Sequence, residues 1–395
     1  MPRFIPTLAL AVTAAAGLCA TPALSTVAAA ATPTAAASAT SAANWAHSDA
    51  IRNDARSHKI GAVADATPSG FGPSSLQSAY KLPSSTAGSG ETVAIVDAYN
   101  DPTAAADLAV YRSTYGLPAC TKASGCLKIV GQTGSSTLPK TNAGWATEES
   151  LDLDMVSAAC PNCHIILVEA TTASNTNLGK AVNEAAKLGA DAISNSYGGS
   201  ESSTDTTYDT TYYDHPGIAI TASSGDSGYG VEYPAASPYV TAVGGTSLST
   251  SSNARGWTET AWSGAGAGCS AYEAKPSFQS GAGTGCSKRA VADVSAVADP
   301  NTGVAVYDTT PYQGYSGWQV YGGTSVASPL IASVYALAGN TSSIDNAALS
   351  YTNKSSLFDV TSGSDGSCST SQLCTARSGW DGPTGNGTPD GVGAF

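Results

Sequence analysis

Three stretches of this chain carry residues whose types and spacing suit nucleophilic chemistry. The first is Gly322-Gly-Thr-Ser-Val-Ala-Ser-Pro329. Its glycine pair permits a tight turn into an apolar, small-residued helix expected from Ser325 to Leu337. A helix N-terminus offers unpaired N–H groups and a positive dipole end, so Ser325 stands where developing negative charge is stabilised. Ser325 is therefore a candidate nucleophile, with a helix cap as the competing reading. A serine nucleophile needs a base. The chain has four histidines, His47, His58, His164 and His215, none followed by Gly-Thr at the start of a helix. Carboxylates are the alternative. Glu148 and Asp152 are spaced to share one helix face. Two close carboxyls raise one pKa and share a proton, which fits a general base and relay at acidic pH. The competing reading is a solvated acidic face, to which the neighbours Glu149 and Asp154 are assigned. The third stretch is Ser224-Gly-Asp-Ser-Gly228. Asp226 there is either a turn former or, buried beside Ser325, a protonated donor to an oxyanion.

Positioning these groups falls to an alternation of strands and helices. Buried strands are expected at 90–97, 164–170, 192–198, 217–224 and 239–244, with helices at 101–115, at 145–159 and at 177–188. Continuous apolar strands alternating with helices imply a mostly parallel sheet covered on both faces, an α/β fold. Ligand chemistry in such sheets gathers at the C-terminal strand ends, where Asp97, the Ser194–Gly198 stretch and Asp226 fall.

Taken together, Glu148-x-x-x-Asp152 before Leu-Asp-Leu-Asp-Met, Ser-Gly-Asp226-Ser-Gly and Gly-Gly-Thr-Ser325-x-x-x-Pro resemble the sedolisin, or serine-carboxyl peptidase, family. The resemblance covers about 70–395 and implies a subtilisin-like doubly wound sheet. It implies a secreted endopeptidase acting through an acyl-enzyme at acidic pH on polypeptide substrates. Ser325 would be nucleophile, Glu148 general base, Asp152 its relay partner, and Asp226 the oxyanion donor with the Ser325 N–H. The Ser194–Gly198 stretch would bind substrate backbone, and Asp97 matches the acid of the subtilisin triad. With no matching histidine, Asp97 is given a structural role. Two other functions stay open: a catalytically inactive binding protein of the same fold, and a histidine-dependent hydrolase using Asp97. A C-terminal match, Phe358-Asp-Val360 with Arg377-Ser-Gly-Trp-Asp381, resembles the family's calcium site. One structural Ca2+ would be held by the Asp359 and Asp381 carboxylates and by backbone oxygens of Val360, Arg377 and Gly379. Arg377 replaces a usual glycine, so its turn must tolerate a side chain.

Composition narrows the setting. The 395 residues are 42% hydrophobic and 12% charged, with a net charge of −13 and 42 glycines, which suits a globular, turn-rich chain. The acidic balance argues against nucleic-acid or anionic-membrane partners. Arg3, the apolar run Ile5–Leu18 and the small residues to Ala31 read as a secretory signal at 1–31. Residues 32–69 read as a low-complexity segment or short pro-segment ahead of a peptidase domain at 70–395, expected to act as a monomer. The family's long folded prodomain has no room in roughly forty residues. Nine cysteines less Cys19 leave four adjacent pairs, expected as disulfides in an oxidising compartment: Cys120/Cys126, Cys160/Cys163, Cys269/Cys286 and Cys368/Cys374. Cys160-Pro-Asn-Cys-His164 also matches a haem-attachment pattern, but a disulfide is the simpler account.

Overall fold

The computed structural model describes residues 45–60, 68–340, 344 and 346–395. The expected signal and most of the low-complexity segment lie outside them. Within the described residues the central sheet has eight strands. Six run along its path from the near edge as β4 (Leu127–Gly131), β5 (His164–Ala170), β3 (Thr92–Ala98), β6 (Ala192–Asn195), β8 (Ala219–Ser223) and β10 (Thr241–Thr250). Every pairing along that path is parallel. β10 also pairs in parallel with β14 (Val294–Val297), and antiparallel β11 (Trp257–Ala261) closes the far edge. The α/β, mostly parallel sheet is as the strand–helix alternation implied.

Strand alternation sends neighbouring residues to opposite faces, so each face needs a cover. Val93 and Ile95 of β3 pack in one core with helices α3 (Ala143–Ala159) and α5 (Thr324–Ala338). Ala94 and Val96 pack in another with α4 (Asn175–Lys187). Helices α1 (Pro73–Ala79) and α2 (Ala104–Thr114) pack outside α3 and bury it on all sides. This corrects the assignment of Glu149 and Asp154 to a solvated face: both are buried, because α3 is a core helix rather than an amphipathic one.

Other elements were not read from the sequence. The expected strand at 192–198 breaks after Asn195, and β7 (Tyr197–Ser200) joins a separate three-stranded sheet with β1 (His47–Ser48) and β9 (Glu232–Tyr233). A hairpin of β15 (Val304–Tyr312) and β16 (Tyr315–Gly322) leads into α5, with β2 (Ile51–Arg52) on its edge. Short β12 (Gly268–Cys269) and β13 (Ala290–Val291) pair nearby. The folded body thus begins before Gly70: residues 45–60, expected to be weakly structured, are held by backbone hydrogen bonds on two sheets.

All four adjacent cysteine pairs are disulfides. Cys160–Cys163 joins the end of α3 to β5 and leaves no thiol for haem attachment.

A fully buried ion pair fixes the chain around β10. The Arg289 guanidinium grips Asp293 with both amino groups, at 2.7 and 2.5 Å. Asp293 also accepts from the Ala242 N–H and the Tyr351 hydroxyl, at 2.8 Å each. Removing one partner strands a charge in low dielectric, so Asp293→Ala should cost about 3–5 kcal/mol in denaturant unfolding. A loss below about 1 kcal/mol would mean the pair is solvated in solution.

Candidate active site

Residues 322–329 form the turn and first helical turn expected of them. Gly323 sits at φ 97° and caps α5, a conformation that L side chains rarely adopt. Small residues let α5 lie close under the strands: the Ser328 hydroxyl meets those of Ser194 and Thr221, each at 3.0 Å. Pro329 sits inside the helix and has no N–H to return to the Ser325 carbonyl. The Ser196 hydroxyl donates to that carbonyl instead, at 3.3 Å. The same hydroxyl lies 2.8 Å from Asp152 Oδ1.

Ser325 is fully buried, and so are Glu148 and Asp152. Its hydroxyl donates a long bond, 3.4 Å, to the Ser196 carbonyl. Neither Glu148 oxygen has a well-formed hydrogen bond, nor has Asp152 Oδ2. Burial is the main reason that the Glu148 pKa lies well above the usual carboxylate range; the charges of Asp152 and Asp97 push it further, and the Ser325 hydroxyl beside it pulls the other way. Burial likewise raises Asp152, against the pull of Ser196. The two carboxyls lie 177 and 173 residues before the serine, and the packing of α3 on α5 brings them together.

Asp226 arrives from the turn after β8. Its Oδ1 accepts from the Thr324 N–H at 2.7 Å and the Thr324 hydroxyl at 2.8 Å. Its Oδ2 is sealed from solvent without a partner. Burial first, then the charge of Asp49, raises its pKa well above the ordinary value. A protonated Oδ2 is a donor aimed past Gly323, where a Cβ would collide with it.

The acid cluster extends beyond the expected residues. Asp97, at the end of β3, is buried with neither oxygen bonded. Burial and then the charges of Asp152, Glu149 and Glu169 raise its pKa. Glu149 faces Glu169 and the Asp101 N–H, and burial drives Glu169 up to about 8. Sequence reasoning did not single out Asp49, and it gave His47 no place near the site. The His47 ring meets Asp49 Oδ1 at 3.1 Å and Glu232 at 3.8 Å, and Asp49 bonds Ser223. No spacing signal ties residue 49 to residue 223; only pairing of β1 with β7 does so. His164 is exposed at the start of β5, and His215 bonds Asn183, so neither reaches Ser325.

At the C-terminus, the Asp381 carboxylate accepts from the Arg377 N–H at 2.9 Å and the Thr384 N–H at 3.0 Å. Asp359 accepts from the Gly379 N–H at 3.0 Å. Burial, against these bonds and with the charge of Asp359, raises Asp381 to about 7. Among the described residues no N–H donor reaches the carbonyls of Val360, Arg377 or Gly379. Arg377 is absent from the few non-glycine residues with positive φ, so its turn accepts a side chain. Nearby Asp365 is buried with both oxygens unpartnered, and the Asp381 charge helps raise it.

Comparison with known proteins sets this geometry in context. A family model described as the subtilase family matches residues 129–366. The chain is 29% identical to sedolisin of Pseudomonas sp. (strain 101), covering 86% of this chain and 65% of that protein. It is 30% identical to kumamolisin of Bacillus sp. (strain MN-32), covering 83% of this chain and 63% of that protein. It therefore spans a little under two thirds of these relatives. Among solved structures it resembles Pseudomonas sedolisin, a serine-carboxyl proteinase solved with pseudo-iodotyrostatin, at TM-score 0.69 and 28% identity over 82% of this chain and 96% of that one. Sphericase, at TM-score 0.52 and 19% identity, shares the fold.

The buried carboxyls set the sign of the pH dependence of stability. Asp308 titrates near 7, and Glu169 and Glu232 near 8, all raised chiefly by burial. A folded pKa above the unfolded one means that the folded state holds more protons in between. The stabilisation is complete below the unfolded value of about 4 and is lost as pH rises through the folded values. The guanidinium midpoint should therefore be higher at pH 4 than at pH 8. A midpoint that rises over that interval would show these groups to be hydrated and ionised in the folded state.

Proposed function

The chain belongs to the subtilase family, and on that premise we propose that it is a serine-carboxyl endopeptidase, cleaving polypeptides through an acyl-enzyme at acidic pH. The observation that carries this reading is the group beside Ser325: a buried carboxyl, Glu148, on which the serine hydroxyl acts, while His164 and His215 lie away from it. Glu148 takes the Ser325 proton as Oγ attacks the scissile carbonyl. Asp152, one helical turn along, holds or passes the proton, and Asp97 beyond it belongs to the same titrating group. Because Ser196 bridges Asp152 to the Ser325 carbonyl, it ties the acid pair to the nucleophile's backbone. Protonated Asp226 donates to the oxyanion beside the Ser325 N–H. Glu148 then returns the proton to the leaving nitrogen, and water repeats the sequence on the ester. Secretion is its proposed setting, from the signal expected at 1–31, and polypeptides are its proposed substrates, in keeping with a peptidase family. Among the described residues no helix is long and apolar enough to cross a membrane.

The base must be ionised while the oxyanion donor stays protonated, so the rate should be bell-shaped in pH. Raised pKa values move both limbs upward from ordinary carboxylate values. On an unfolded protein substrate, activity should fall at alkaline pH as Asp226 deprotonates. Glu148→Gln should lower kcat by about 10²–10⁴-fold. His164→Ala and His215→Ala should leave it unchanged. Activity best at alkaline pH, or surviving Glu148→Gln, would sink the reading.

The C-terminal loop fits one calcium ion, held by the Asp359 and Asp381 carboxylates and the carbonyls of Val360, Arg377 and Gly379. Two carboxylates and three carbonyls free of protein donors form a hard-oxygen set. Bound calcium would supply a structural cross-link and offset the charge that raises Asp381. Saturating calcium at about 100 Kd should add about 2.7 kcal/mol to unfolding. Asp381→Asn should abolish that increment. An equal calcium response in the variant would move the ion elsewhere.

A further inference from the structure

The three-stranded sheet of β1, β7 and β9 gathers an imidazole and two carboxyls that no step of the proposed reaction uses. We propose that His47, Asp49 and Glu232 form a site for one divalent transition-metal ion such as Zn2+, a clasp that ties the N-terminal strand to the body of the protein. The inference stands on these side chains and is independent of the peptidase reading.

Backbone pairing brings the three residues together. β1 runs antiparallel to β7, with His47 opposite Gly198 and Ser48 opposite Tyr197. On the other side of β7, β9 is also antiparallel, with Tyr233 opposite Gly199 and Glu232 opposite Ser200. Gly198 carries no side chain, and Glu232 uses the space: a Cβ there would strike Glu232 Oε2. A Cβ on Gly225, in the turn after β8, would meet the same carboxyl. Two glycines thus cradle Glu232 and let it reach across β7 toward His47. Asp49 follows directly on β1. Ser223 Oγ donates to its Oδ2 at 2.5 Å, which leaves Oδ1 beside the His47 ring.

These donors suit a metal ion better than a simple ion pair. One atom from each residue can be chosen so that all three lie within 4.8 Å of one another, the one such group of histidine, cysteine and acidic side chains among the described residues. His47 Nδ1 is 3.1 Å from Asp49 Oδ1, and Nε2 is 3.8 Å from Glu232 Oε1. Asp49 Oδ1 and Glu232 Oε2 are nevertheless sealed from solvent without a hydrogen-bond partner, an unfavourable state for a buried acceptor. Asp49 as a whole is only 2% exposed. A protonated imidazole balances one of the two carboxylates. A dication balances both, with the imidazole neutral and coordinating. One imidazole nitrogen with two carboxylate oxygens suits zinc better than calcium or magnesium, which take oxygen ligands. Atoms bound to one zinc ion at about 2.0–2.2 Å stand about 3.4 Å apart, and a water completes the tetrahedron. The His47 side chain is 58% exposed, so its ring is free to adjust, while Ser223 already fixes Asp49.

Such an ion would act in two ways. It would join residues 47–49 to β9, a cross-link where the N-terminal stretch otherwise relies on short backbone pairings. It would also sit within electrostatic reach of Asp226, whose surroundings include the charges of Asp49 and Glu232.

The test is calorimetric titration of the full chain with Zn2+ at mildly alkaline pH, where an imidazole gives up its proton most readily to a metal. Ser325→Ala is the background, so that the protein stays whole during the measurement, and intact mass confirms that residues 47–49 are present. Calcium is kept in excess to fill any oxygen-only site. One Zn2+ per chain is expected. Losing a group that merely supports a ligand weakens metal sites by about 10–100-fold, so His47→Ala and Glu232→Gln should each weaken binding by ~100-fold or more. Both variants should keep the metal-free unfolding midpoint of the background; if Glu232→Gln shifts it, His47→Ala decides alone. His164→Ala and His215→Ala should bind Zn2+ as the background does. Hydrogen exchange gives a second readout: Zn2+ should slow the amides of residues 46–53 in the background chain and not in His47→Ala. Binding weaker than about 0.1 mM overturns the site. Binding that survives His47→Ala unchanged assigns the ion to another group and overturns it as well.

Discussion

Burying a carboxylate in a protein core costs far more than burying the neutral acid, and the active end of this sheet is arranged around that difference. Helix α3 places Glu148, Glu149, Asp152 and Asp154 inside the molecule, and of the four Asp154 has the Arg112 guanidinium acting on it. Two are managed as structure: Asp154 caps the Tyr307 N–H at 2.8 Å, and Glu149 takes the Asp101 N–H at 3.1 Å. The pair facing Ser325 is left without that support. Among acids that share protons, one can be a base while its neighbour stores the proton.

The same economy of charge links catalysis, stability and the N-terminal segment. Acid conditions that keep Asp226 protonated also keep the buried carboxyls neutral, so the fold is most stable where its chemistry is expected to work. Asp49 adds one more negative group to this crowd.

Much of the site was legible from residue types. Ser325 behind two glycines and Asp226 between glycines each announce a turn at a strand or helix end. The spacing of Glu148 and Asp152 announces a shared helical face. What spacing could not distinguish was a buried acidic helix from a solvated one, because four carboxyls in seven residues normally mean water. Asp154 and Glu149 were misjudged for that reason. The break after Asn195 was also hidden, since Ser-Tyr-Gly continues an apolar strand and only the neighbouring β1 and β9 show where its pairing goes.

The sequence by itself determined the alternation of strands and helices, the nucleophile's helix, the disulfide partners and the lack of a usable histidine. These are local properties, set by periodicity, turn chemistry and short covalent loops. Tertiary structure alone decided that α3 would be enclosed by α1, α2, α5 and β15, which converts ordinary acids into proton-sharing ones. It alone paired His47 to Arg52, from an unpromising N-terminal stretch, with β7 and β16. That placement depends on backbone pairing with strands some 150 and 270 residues away in the chain. Backbone pairing of that kind leaves no side-chain pattern to read in so short a strand.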